Sequence, residues 1–537
     1  MGENMAMKTR GWLVAAGVGM GFVGTAIWGG STGAAPANPD LEIGIVQRFG
    51  ESSTDRLNIS TSGGAHLVME YDDASGEEIV RNVPAIAIGI HNRLLDRPFE
   101  DSRLILSSHR SFESAAASAE EWEARGVRTL VVQPDEWQVW AHPEEYTLTA
   151  RLEILERARA QNRPGVRLER QLISTNPELS WTILGETFTD RELQIRSSNG
   201  SPLTVNGKTY AGTLTLQPNT FDTYTLVNTV PLETYLRGVV PHEIGPGAPF
   251  EAIKAQAILA RTYALQNRHR FTPDNYELCA DTQCQVYRGL SGTIPSADRA
   301  IASTAGLVLT FDGQLADAVY SSTTGGITAA FNHIWDGDPR PYLQPIPDTL
   351  LLGQQVVDLD LTRDDHFRRF LSLRSGFNET GISNYFRWEI PQPLPKLTHN
   401  LQENQKYLSL PFPPYQSIAS LEILERSPSG RVQALKVNLR QADSNIIPVT
   451  LRKDAILLGL RATYSLLFTV DPIASGGVLR GYNFSGGGLG HGVGMSQYGS
   501  YHLARQGYRA TDILAFYYPG TTLTPLTPAL AALWPAN

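Results

Sequence analysis

The chain has 537 residues, a formal net charge of −9, 42% hydrophobic and 18% charged residues. That length suits more than one compact unit, and the composition is that of a globular protein rather than a disordered one. The negative balance supplies no general phosphate-neutralising surface, which argues against a nucleic-acid partner. Two cysteines, Cys279 and Cys284, exclude a disulfide framework and leave room for one local bridge.

Lys8 and Arg10 precede an apolar run from Gly11 to Trp28, and small residues follow, with Ala34-Ala35 before Pro36. Residues 1–35 therefore read as an export signal. The run also approaches the ~20 residues that span a bilayer, so an uncleaved anchor is the other reading. Both place Asp40 onward in the cell envelope, outside the cytoplasm, and both confine membrane contact to this segment.

Leu41–Gln47, Ala65–Tyr71 and Ala85–Ile90 alternate apolar and polar residues and read as strands. Leu104–Trp140 reads as strand, helix and two further strands. Phe112, Ala116, Ala119 and Trp122 recur at helical spacing behind Ser111 as N-cap, and Gly126 ends the helix. A second helix is expected over Leu152–Gln161. Residues 40–190 are thus expected to form an N-terminal α+β region of their own. From Glu192 the pattern turns to β, with Asn199-Gly200 and Asn206-Gly207 as two tight-hairpin signals. The polar, Pro-interrupted stretch 352–414 reads as a variable insertion. Strands resume at Ala419–Leu424 and Val432–Leu439. The whole is expected to be α+β.

The chemistry concentrates in Val230–Arg270 (VPLETYLRGVVPHEIGPGAPFEAIKAQAILARTYALQNRHR). Pro231 and Glu233 suit the first turn of a short helix that Gly238 ends. His242 and Glu243 then enter a loop, Gly245-Pro246-Gly247. A carboxyl held there beside apolar residues would have a raised pKa and suit general acid work. Pro249–Asn267 reads as a helix with Lys254 and Arg261 on one face. Facing a cleft, they bring two cations to the carboxyl; facing solvent, they are ordinary surface charges. Cations nearby would lower the pKa of Glu243, so an acid role requires its burial or its separation from both.

This stretch resembles the signature of the SpoIID/LytB family, "LE-x-YL-x-GVV-x-x-E" followed by "EAxKAQAxxARTYA". The likeness continues in order through Cys279–Gly289 (CADTQCQVYRG), Ala318–Thr328 (AVYSSTTGGIT), Leu421–Val437 (LEILERSPSGRVQALKV), Gly488–Gly499 (GLGHGVGMSQYG) and Ile513–Leu523 (ILAFYYPGTTL), and covers about 192–525. Ile244 stands where Met is usual, and Ser500 where Ala is. The resemblance implies a β-rich region with a core helix carrying the site. It implies a lytic transglycosylase that cuts peptidoglycan glycan strands, with Glu243 as the single acid/base and 1,6-anhydro ends as product. Lys254 and Arg261 match its basic positions and would bind substrate, holding its oxygens and orienting the acid. The LytB side of the family implies a different role, an amidase enhancer that activates a separate cell-wall amidase without cleaving glycan.

Five glycines in 486–492 surround His491, and no Gly-Lys-Ser/Thr follows, so this is not a phosphate loop. It is either a buried turn whose histidine bonds backbone, or a sugar-cleft wall formed by His491, Ser496, Gln497 and Tyr498. Cys279 and Cys284 fit a disulfide in an oxidising compartment. As two thiolates of a zinc site they would need further ligands, for which His242, His269 or His333 are at hand; a free thiol pair is the third reading. The bridge is the expectation, with no cofactor required and no metal site assigned. Leu104–Trp140 also resembles half of a SPOR-type peptidoglycan-binding domain, and an α+β scaffold accounts for it equally well.

Overall fold

A computed structural model describes residues 37–72, 76–163, 165–381 and 383–532. The export or anchor segment, residues 1–35, lies outside the described residues. Among these, no helix is long and apolar enough to cross a membrane.

Four strands come first: β1 (Asp40–Phe49), β2 (Leu57–Thr61), β3 (Leu67–Asp72) and β4 (Glu78–Val83). The long β5 (Ala85–His109) leads into α1 (Phe112–Glu123), β6 (Thr129–Val132), β7 (Trp137–Ala141), α2 (Leu148–Ala160) and β8 (Arg167–Ile183). After β9 (Glu186–Asp190) come β10 (Leu193–Ser197), β11 (Leu203–Val205), β12 (Lys208–Tyr210), β13 (Thr213–Pro218) and β14 (Tyr224–Pro231). The molecule is α+β, as its sequence pattern predicts.

The segment β5-α1-β6-β7-α2-β8 is a split β-α-β unit, with antiparallel strands in the order β8-β5-β7-β6. Ser111 caps α1 by accepting from the Ser114 N–H, and Gly126 turns the chain in the left-handed region at φ 79°. Phe112, Ala115, Ala119 and Trp122 bury the inner face of α1 against Leu104 and Trp137. The expected elements of Leu104–Trp140 are present, and α2 and β8 complete the unit.

The expected division near residue 190 does not follow a break between sheets. β1 pairs with β14, and β3 with β10, in one sheet; β2 joins β5 to β11 in the other. Alternation identifies a strand but not its partner, and here the partners lie far away in sequence. Asn206-Gly207 makes the expected two-residue hairpin, at φ 46° and 83°, with Val205 opposite Lys208. Asn199-Gly200 does not: the chain leaves β10 in one sheet and enters β11 in the other.

α3 (Leu232–Glu243) runs on past Gly238 and through Pro241, so the glycine does not terminate it. A Cβ at Gly238 would stand 2.7 Å from the Tyr287 ring and press on the Gly289 carbonyl. The glycine is there for that close approach. In α4 (Phe250–Gln266), thirteen of seventeen residues are buried. Ala252, Ile253, Ala257 and Ala260 pack with α3 against the β-sheets, while Ala255, Ile258, Leu259 and Tyr263 face the core built from the C-terminal half. A helix buried on every side needs small residues where neighbours approach closely, hence its alanines.

The stretch 352–414, expected as an insertion, is an integral part of the fold. It holds helices Asp364–Ser372 and Leu394–Asn404, and the strand Trp388–Pro393, which pairs with Val478–Gly486. Phe367, Phe370, Phe377 and Phe386 form a core with Leu467. Prolines and charges between these aromatics hide their periodicity.

Candidate active site

Glu243 is the last residue of α3, and its carboxyl lines a cleft of about 500 Å³. His491, Gln497, Tyr320, Trp335 and Asp454 line the same cleft. Arg110–Glu113 of the split β-α-β unit supply part of the wall, so that unit takes part in the site.

The surroundings of Glu243 suit an acid. Burial raises its pKa above the usual carboxyl value, while hydrogen bonds from the Val286 N–H, Tyr320 and Gln497 partly offset the rise. The Val286 N–H donates to Oε1 at 2.7 Å. Its position at a helix C-terminus further disfavours the ionised form. Among the described residues Glu243 forms no ion pair, so the cations that would have lowered its pKa are absent.

A chain of donors orients it. Tyr235 Oη–H donates to Gln285 Oε1 (3.2 Å), Gln285 Nε2–H donates to Tyr320 Oη (2.9 Å), and this leaves the Tyr320 proton for the Glu243 carboxyl. Gln285 and Val286 are held there by the bridge between Cys279 and Cys284, whose Cα atoms are 5.6 Å apart. Tyr287, next along, donates to Asn228 on β14 at 2.8 Å. The two sulfurs are thus joined to each other, and the loop they close sets the acid's hydrogen bonds.

His491 accepts from the Val493 N–H through Nδ1 at 3.0 Å, so its proton sits on Nε2. Burial pushes its pKa down to about 4, which keeps the imidazole neutral. Its ring packs 4.9 Å from Trp335. The histidine therefore bonds backbone, as the buried-turn reading has it, and it also lines the cleft. Gln497 Nε2 donates to the Glu243 backbone carbonyl at 3.0 Å and so ties helix Gln497–Arg505 to the end of α3.

Four sequence-derived candidates are not in the cleft lining. Arg261 is fully buried and grips Glu233 with two bonds, 2.7 and 2.8 Å, while a third reaches the Leu307 carbonyl. Lys254 pairs with Glu251 at 3.0 Å, and Glu251 also receives the Ala510 N–H. Ser496 is buried, donates to Glu379 at 2.6 Å and caps the helix Gln497–Arg505. Tyr498 packs on Tyr501, away from the cleft. Helical spacing placed Lys254 and Arg261 on one face correctly, but nothing in spacing says that the face meets carboxylates instead of substrate.

The structure adds residues that the sequence did not single out. Asp454 lines the cleft with its pKa pushed up to about 6 by burial, although the Ser111 hydroxyl donates to it at 2.9 Å. Lys453, just before it, sits at φ 46° and ψ −130°, a strained conformation for a lysine, held by bonds to the Trp335 carbonyl and Asp336. Ser321 Oγ is buried in the cleft wall with no hydrogen-bond partner among the described residues. Tyr320, Ser321 and Gln285 had a signal, since all three lie inside the quoted family motifs; Asp454 had none.

A family model described as "Stage II sporulation protein" matches residues 220–311, which contain Glu243, α4 and the cysteine loop. The chain thus carries a SpoIID-type domain. A second model, described as a domain of unknown function, matches 329–494, including the stretch expected to be an insertion. The amidase enhancer of Bacillus subtilis (strain 168) is 30% identical over 302 residues, 54% of this chain and 40% of that protein. Stage II sporulation protein D of Bacillus amyloliquefaciens is 26% identical over 313 residues, 56% of this chain and 75% of that protein. Its counterpart in Bacillus subtilis (strain 168) is 26% identical over 341 residues, 58% and 81% of the two chains. The match thus spans less than half the length of the amidase enhancer. The SPOR-like stretch 104–140 lies outside both family-model matches.

Proposed function

We propose that this SpoIID-domain protein acts on peptidoglycan in the cell envelope as a lytic transglycosylase with Glu243 as its acid and base. The SpoIID domain and the kinship with an amidase enhancer support a role at the cell wall. The observation that carries the finer reading is a partly buried carboxyl at the wall of a cleft, with a raised pKa and no ion pair among the described residues.

Most glycosidases use two carboxylates, one of them to attack or to activate water. Here the nucleophile is the substrate's own C6 hydroxyl. Protonated Glu243 donates its proton to the glycosidic oxygen as the C1–O bond breaks. The resulting carboxylate removes the C6 hydroxyl proton as O6 bonds to C1, which closes the 1,6-anhydro ring and restores the acid. Burial favours the protonated carboxyl, and Val286 N–H and Tyr320 O–H stabilise the anion between the two steps. Trp335, in the cleft wall, offers apolar surface to the sugars. Lys254 and Arg261 have structural roles in this reading. The protein reaches its substrate through export, with residues 1–35 as signal or anchor.

The kinship with the amidase enhancer favours a second reading, in which the cleft binds glycan and the protein stimulates a wall amidase. Mass analysis of peptide-free glycan strands after incubation with the purified protein separates the two. New 1,6-anhydro ends support the transglycosylase. New reducing ends mean hydrolysis. No cleavage, together with stimulation of an amidase, gives the enhancer.

A further inference from the structure

Two tyrosines beside the cleft keep much of their surface in solvent. Tyr464 lines the cleft that contains Glu243 and is 45% exposed. Tyr385, 40% exposed, meets it edge-on with ring centroids 5.2 Å apart and planes at 87°. On its other side Tyr464 meets the buried Trp388 at 5.7 Å and 84°. The ring of Tyr464 is therefore wedged between two perpendicular neighbours, and Tyr385 carries the aromatic surface outward.

The backbone holds both rings against the loop that presents His491. The Tyr385 carbonyl accepts the Gly488 N–H at 2.9 Å, and the Tyr464 carbonyl accepts the Gly490 N–H at 3.1 Å. Trp388 Nε1–H donates to the Gly488 carbonyl at 2.9 Å, and Ser465 Oγ–H to that of Gly487 at 2.7 Å. A Cβ at Gly486 would collide with the Trp388 ring, so the glycines let the loop lie flat beneath these aromatics.

Exposed rings held rigid next to a cleft are a poor use of apolar surface unless something covers them. The C–H face of a pyranose fits: it stacks on an aromatic ring while its hydroxyls stay in water, and a fixed ring gives up little entropy when it is covered. Continuity with the Glu243 cleft identifies the occupant as another sugar of the same strand. We propose that Tyr464 and Tyr385 form an outlying subsite that stacks a sugar ring of the glycan strand beyond the residues bound at Glu243. The proposal rests on the reading of the cleft as a glycan site. It gives the 352–414 stretch, the source of Tyr385, a share in substrate binding, and it makes affinity rise with strand length.

The test is calorimetric binding of short and long peptide-free glycan oligomers to the full chain carrying Glu243→Gln, so that cleavage plays no part. Long oligomers should bind more tightly than short ones. Tyr464→Ala and Tyr385→Ala, each added to that background, should weaken the long oligomers by about tenfold and the short ones much less. Tyr464→Phe, which keeps the ring, should retain the preference for length. Equal loss at both lengths, or no loss, overturns the subsite while leaving the glycan cleft standing. No binding at any length overturns the glycan reading itself, and the subsite with it.

Discussion

Helix α3 carries one glutamate in its first turn and another as its last residue. Glu233 sits where the helix dipole favours an anion, and it holds the buried guanidinium of Arg261 with two bonds. Glu243 sits where the dipole disfavours an anion, has no ion pair among the described residues, and lines a cleft. Ten residues of one helix thus separate a carboxylate that must stay charged to support the fold from a carboxyl that is disposed to keep its proton. Chemical type does not distinguish them; the end of the helix and the presence of a cation do.

The comparison breaks most plainly at Glu243. Glu243→Gln removes the proton while keeping shape and much of the hydrogen bonding, so glycan cleavage should fall by about 10²–10⁴-fold with the urea midpoint little changed. Quantifying 1,6-anhydro ends over time checks this, and cleavage at the wild-type rate would show that Glu243 is not the acid. Glu233→Gln should do the opposite. It leaves Arg261 buried and only partly compensated, at a cost on the order of 2–4 kcal/mol. Urea denaturation should register that loss, while the rate per folded molecule stays near that of the wild type.

A smaller effect is expected at the bridge that sets the Glu243 hydrogen bonds. Replacing Cys279 and Cys284 with serine opens a short loop, which should cost about 2 kcal/mol. It should also slow cleavage, because Gln285 and Val286 lose their anchor. Thiol titration of the unreduced wild-type protein should find almost none free, and zinc released on unfolding would contradict the bridge.

The smallest effect concerns Asp454, whose pKa rises from 3.8 to about 6 on folding. The folded state then holds its proton more tightly than the unfolded chain. The resulting stability is fully present below about pH 4 and is lost as pH rises through about 6. Asp454→Asn keeps an acceptor for Ser111 but carries no charge, so at pH 7 the variant should be more stable than wild type by about 1–2 kcal/mol. Thermal unfolding followed from pH 4 to pH 8 measures this. Parallel curves for the two proteins would mean that Asp454 is not held with a raised pKa.

Much of the local structure was legible in the sequence. Ser111, the apolar spacing behind it and Gly126 specify α1, and Asn206-Gly207 specifies a two-residue hairpin, because capping and turn geometry depend on neighbouring residues alone. The same local rules failed at Gly238 and Asn199-Gly200. One glycine was needed for the approach of Tyr287, a residue far along the chain, and the other turn lies at a corner between two sheets. Of the candidate site, Glu243, His491 and Gln497 line one cleft. Lys254 and Arg261 were withdrawn from it by Glu251 and Glu233, whose facing positions no periodicity reveals.

By itself, then, the sequence determined local features such as α1 and the Asn206-Gly207 hairpin, since these follow from short-range sterics and from the order of residue types. Only the tertiary structure decided which charged groups neutralise each other, which strands share a sheet, and which side chains face the cleft. Those depend on pairs distant in the chain, and the energy of burying a charge is set by the partner that folding brings to it.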